Sequence, residues 1–165
     1  MGSDASGLFS GTRGSTNSPY HRSAEKMQAN AKTWAAREKE RLGKISERKK
    51  DMFNTASIVY DNETGRYFYG KNGGIFQEKD VKNPQIFGKD GVLPSKSLNG
   101  YDLGNCAEVQ AINKALNSGA KMENLYIFTM HTTPKSFGSP KPACKNCTYA
   151  FRDRIKKNHT GWTEL

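Results

Sequence analysis

Gly104-Asn105-Cys106-Ala107-Glu108-Val109-Gln110 and Lys141-Pro142-Ala143-Cys144-Lys145-Asn146-Cys147 hold every cysteine of the 165-residue chain. Three cysteines cannot all pair within one chain, so a disulfide scaffold is disfavoured and a metal or catalytic use is favoured. A lone Cys-x-x-Cys is ambiguous, since it serves as a redox pair or as half of a structural metal site. A third cysteine at a helix start, with a carboxylate two residues on, narrows the choice. A catalytic zinc takes three protein ligands and leaves a fourth position for water. Cys106, Cys144 and Cys147 supply three thiolates. A histidine could still close the site, and His131 is the nearest in sequence.

Both cysteine segments open a predicted helix. Free N–H groups and the positive end of the dipole there favour thiolate over thiol. Residues 106–117 place Val109, Ile112, Leu116 and the alanines at 107, 111 and 115 on one apolar face, and Gly119 is a plausible stop. A second helix is expected from Cys144 to about Lys157. Between them Leu125 to Met130 is a short apolar run, expected as a buried strand. Upstream, Thr55–Tyr60 and Arg66–Tyr69 are β-type runs joined by a polar turn, hence a hairpin. Thr160–Leu165 could add a last short strand. The long polar stretch 71–105 is expected to form one wall of a pocket. Strands alternating with helices predict an α/β domain with a central mixed β-sheet packed with helices.

The chain divides into a flexible lead-in (1–21), a basic amphipathic helix or linker (22–53) and a catalytic domain (54–165). In the second segment ten Lys and Arg stand against four Glu over 22–50, and Trp34, Leu42, Ile45 and Met52 form one stripe at helical spacing. Net charge is +10 and mean hydropathy is −0.82. A basic balance of this size points to a polyanionic partner, nucleic acid first. No apolar run reaches transmembrane length, so membrane insertion is not expected.

Glu108 is the candidate base. It would take a proton from water, hand it to a ring nitrogen and later protonate a departing amine. Cys106-Ala107-Glu108 opening one helix, and Cys144 with Cys147 opening the next, resemble the zinc-dependent cytidine deaminase superfamily. Within it, the two quoted strings look most like the small deaminase domains at the C-termini of bacterial polymorphic toxins, the YwqJ-like group in particular. The resemblance covers roughly residues 54–165. It implies a cytidine-deaminase-like fold with Zn2+ held between two helix N-termini, and hydrolytic deamination of a nucleobase, cytosine before adenine. It also implies secretion as the C-terminal part of a larger toxin, action in the target-cell cytoplasm, and neutralisation by a cognate immunity protein.

A base must leave the stack to be deaminated, so single-stranded DNA or RNA is the expected substrate, with DNA favoured. Seven Lys or Arg and one Asp lie between Lys135 and Lys157. Lys141 and Lys145 are candidate phosphate contacts. Tyr101, His131 and Phe137 are candidate base contacts. The alternatives are a deaminase of free nucleosides or nucleotides, a non-catalytic zinc-stabilised nucleic-acid-binding module, and a thiol redox protein using Cys144 and Cys147.

Overall fold

The computed structural model describes residues 18–165. The lead-in expected over 1–21 lies, up to residue 17, outside the described residues. The central strand β1, Thr55–Asp61, is buried at every position. That requires a cover on both faces of the sheet. Alternation divides its side chains. Ala56, Ile58 and Tyr60 join Phe128 and Met130 in a core on one face, while Val59 joins Leu125 and Ile127 in a core on the other.

β1 pairs antiparallel with β2, Arg66–Lys71, in the expected hairpin. Asp61 builds the turn: its carboxylate accepts from the Glu63 N–H and the Thr64 hydroxyl, at 3.0 and 2.9 Å. On its other edge β1 pairs antiparallel with β3, Leu125–His131. β3 in turn pairs parallel with a two-residue strand β4, Lys157–Asn158. The result is a mixed four-stranded sheet of order β2-β1-β3-β4, with helices on both faces.

The segment 22–53 is helical but broken. α1, Ala24–Ile45, is capped by the Ser23 hydroxyl, and α2, Glu47–Met52, restarts after Ser46, whose hydroxyl caps it in turn. The expected stripe is half corrected. Met27, Ala31, Ala35 and Leu42 are the residues buried against the sheet, whereas Ile45 and Met52 are 56% and 53% exposed. The buried face of α1 ends at Leu42, Ile45 is the last residue of the helix, and the break at Ser46 redirects the segment that carries Met52. Trp34 stacks on Tyr69 with centroids 5.4 Å apart. Lys71, on the end of β2, is buried and paired with Glu38 at 2.6 Å. This segment is therefore the second layer of the domain that starts at residue 54, sharing its core.

On the opposite face lies α5, Ala107–Asn117. It approaches β2 so closely that a Cβ on Gly70 would stand 2.3 Å from the Ala107 carbonyl oxygen, so only glycine fits there. Its stop is the expected one: Gly119 has φ +95°, and Ala120 N–H returns to the Ala115 carbonyl. Within 71–105 two short helices form, α3 (Gly74–Gln77) and α4 (Pro84–Phe87).

The C-terminal part differs from expectation. α6 spans Lys145–Phe151 and is half the predicted length. Phe151 and Ile155 both enter the core, and a straight helix would not deliver the chain to β3. The last strand is Lys157–Asn158 rather than 160–165. Asn158 and Gly161, at φ +87°, instead fold the chain back. Ala143 N–H then donates to the Gly161 carbonyl, and the Thr163 hydroxyl donates to the Ala143 carbonyl. Among the described residues, no helix is long and apolar enough to cross a membrane.

Candidate metal centre

Cys106 is the N-cap of α5 and Cys144 the N-cap of α6. The two helices start side by side at one end of the sheet. Cys147 lies one turn into α6 and is fully buried. The three Sγ atoms lie within 4.8 Å of one another, close enough together to serve one ion. Cys106 and Cys144 Sγ are 2.7 Å apart, too far for a disulfide of about 2.0 Å, and all three thiols are free. Among the described residues, this group has three members and no fourth His, Cys, Asp or Glu ligand.

The donor chemistry fits a cation. Without an ion the three sulfurs do not ionise equally. The Cys144 thiol is driven down by hydrogen bonds from Cys106 and Cys147, helped by the N–H groups of Cys147 and Asn146. Cys106 is driven up first by Cys144, against an opposite pull from Cys147, and then by burial. Cys147 is driven up by both sulfur neighbours and then by burial. A dication would let all three ionise. A set of three soft thiolates is compatible with zinc.

Glu108 follows in the first turn of α5 and is 3% exposed. Burial pushes its carboxyl up to about 7, with the charge of Cys144 adding to the rise. Its own backbone N–H, the Thr129 hydroxyl and Lys141 pull the other way. Glu108 faces a cavity of about 160 Å³ that it shares with Cys106, Cys144, Thr129, Tyr101 and Lys141. That is well below the roughly 300 Å³ at which sites for drug-sized ligands begin, so it suits a single ring. A larger, open hollow of about 440 Å³ lies beyond the far end of α5, beside Gly119 and Arg154, and holds no comparable set of reactive groups.

The structure thus gathers five of the sequence-derived residues around this cavity: Cys106, Cys144, Glu108, Tyr101 and Lys141, with Cys147 beneath. Lys141 Nζ donates to Thr55 Oγ1 at 2.6 Å. It does not gather the others. His131 ends β3, its backbone bonded to Gly138 and Ser139, and it does not line the cavity. Phe137 packs against the α1 side of the sheet. Lys145 is exposed at the outer start of α6.

Several residues that build the site had no motif to mark them. Thr129 carries a hydroxyl to the cavity and bonds Ser57 at 3.1 Å. Asn72 accepts from the Asn54 and Thr55 N–H groups, shaping the rim. Gln110 and Asn113, buried on α5, accept from the N–H groups of Lys71 and Asn83 and so hold the 71–88 stretch in place. The i, i+3 spacing of these amides on an otherwise apolar helix was the available signal. No family model, curated protein or solved structure matches the chain.

Proposed function

We propose that the chain is a zinc-dependent deaminase that converts cytosine to uracil in single-stranded nucleic acid, DNA in preference to RNA. One observation carries this reading: a buried carboxyl, Glu108, faces the same one-ring cavity as a three-thiol cluster that, among the described residues, has no fourth ligand. The α5–β3–α6 order, with a cysteine at each helix start, supports the cytidine-deaminase-like assignment.

Zinc, held by Cys106, Cys144 and Cys147, would supply the Lewis acidity that makes water a nucleophile near neutral pH. Glu108 is the proton carrier. With its carboxyl poised near neutrality, it accepts a proton from the attacking water and delivers one to the ring nitrogen. It then takes the second proton of that water from the newly added hydroxyl and passes it to the departing amine. A C–O bond replaces the C–N bond, one water is consumed and ammonia leaves. Lys141 puts a cation beside the carboxylate form, and Tyr101 at the rim offers a face for the base. A cavity sized for one ring excludes a stacked duplex and favours a base already free of its partner.

The net charge of +10 supports a polyanionic substrate. Delivery as the tip of a larger secreted toxin, with a cognate immunity protein, belongs to the same proposal and rests on the Gly104–Gln110 and Lys141–Cys147 strings. The deciding experiment expresses the chain and its Glu108→Ala variant in a strain lacking uracil repair, followed by genome sequencing. C-to-T changes with the parent chain alone are expected. A-to-G changes would move the base to adenine, and equal mutation loads for both proteins would overturn the role of Glu108.

A further inference from the structure

Asn146 is the second of the two residues between Cys144 and Cys147, 2% exposed, and its side chain points away from the cysteine cluster to residues 97–99. Its Oδ1 accepts from the Leu98 N–H at 2.8 Å. Its Nδ2 donates to Ser97 Oγ at 3.1 Å and to Asn99 Oδ1 at 3.2 Å. Those two acceptors hold the backbone of Tyr101 from both sides. Ser97 Oγ donates to the Tyr101 carbonyl at 2.6 Å, and Tyr101 N–H donates to Asn99 Oδ1 at 2.9 Å. Tyr101 itself is 64% exposed at the cavity rim, so packing does little to keep it there. Its placement depends on two hydrogen-bonded paths that converge on one amide.

We propose that Asn146 is a positioning residue that links metal occupancy to the placement of Tyr101 over the cavity. The inference rests on the metal reading above. Cys144 and Cys147 flank Asn146, so an ion bound by both pins the first turn of α6 and aims the amide at residues 97–101. Loss of the ion frees that turn, and with it the loop and the ring on which the substrate base would rest. A buried amide that must satisfy three groups on a distant loop is costly to misplace. Its effect is therefore close to all-or-none.

Hydrogen exchange tests this without reference to activity. The amides of Leu98 and Tyr101 should exchange at least tenfold more slowly in the zinc-loaded protein than after chelation. In Asn146→Ala that zinc-dependent difference should vanish while one zinc per chain still binds. Ser97→Ala cuts only the path to the Tyr101 carbonyl. It should reduce the zinc-dependent protection of the Tyr101 amide without abolishing it, because that N–H keeps Asn99 Oδ1, while Leu98 stays protected, and it serves should Asn146→Ala fail to fold. On single-stranded substrate, Asn146→Ala should raise KM about tenfold with kcat within a factor of two, since the reacting groups are untouched. Zinc binding with no change in exchange at 97–101 would overturn the inference and leave the deaminase reading standing. Absence of zinc binding would overturn both. A loop that responds to zinc in a protein without deaminase activity would keep this inference and sink the other.

Discussion

The face of the sheet under α1 and the face under α5 and α6 are built from different materials. Under α1 lie Met27, Ala31, Ala35, Ile58, Tyr60, Phe128 and Met130, with Trp34 stacked on Tyr69 at the margin. Polar groups there are few and paired, as in Glu38 with Lys71. Under α5 and α6 the apolar core is interrupted by three thiols, a carboxyl and several buried amides, clustered where the two helices begin. The first face can be optimised for burial alone. The second gives up apolar contact to hold groups that burial disfavours, and it can do so because the same strands are secured from behind.

Glu108→Ala should break the comparison most visibly. Deamination should fall by about 10²- to 10⁴-fold, the usual span for a positioned proton carrier. Zinc content and thermal midpoint should hold or rise, because a buried carboxyl that resists ionisation adds little to stability. Assays of rate, metal and melting on one preparation check all three.

Ile58→Ala and Ile112→Ala delete the same atoms on opposite faces, both from fully buried side chains. Each should cost about 2–5 kcal/mol in denaturant unfolding. Ile58→Ala should leave kcat of the folded protein unchanged, and Ile112→Ala should lower it by shifting α5 and the start that carries Cys106 and Glu108. Equal kcat values in the two variants would erase the distinction between the faces.

Lys71→Ala leaves Glu38 with Arg41 as its remaining partner on the α1 side. The loss should be about 2 kcal/mol, less than for a fully enclosed pair, because Glu38 keeps some access to water. Metal binding should be unaffected.

The smallest effect concerns His159, whose Nε2 bonds the Arg22 carbonyl at 2.7 Å. Burial lowers its pKa, so the folded state resists the proton that the unfolded chain accepts. Above about pH 6.5 both states are neutral and nothing is lost. As pH falls below that value the unfolded state is protonated first, and stability should decline until the folded pKa is reached. His159→Gln should flatten the thermal midpoint between pH 7 and pH 5.5 relative to the parent chain.

Much of this was legible in the residues. Cys106, Glu108, Cys144 and Cys147 stood out as candidates because metal ligation and proton transfer need particular atoms at particular spacings. The hairpin and α5 were legible because alternation, helical periodicity, Asp61 and Gly119 are local signals. The length of α6 was not, since Phe151 and Ile155 satisfy a helical pattern as well as they satisfy a turn into the core. The exposure of Ile45 and Met52 was equally hidden, because Ser46 reads as a helix residue until tertiary packing shows where α1 must end.

The sequence by itself marked the candidate ligands and the candidate base, and it determined the α/β order and the basic charge. All of these depend on residue identity and near-neighbour spacing. Only the tertiary structure decided that Tyr101 and Lys141, rather than His131, Phe137 or Lys145, share the cavity with Glu108. It alone joined Asn146 to Tyr101 and made α1 part of the domain. Such relations link residues tens of positions apart, and no local pattern encodes which of several similar side chains the packed strands and helices bring together.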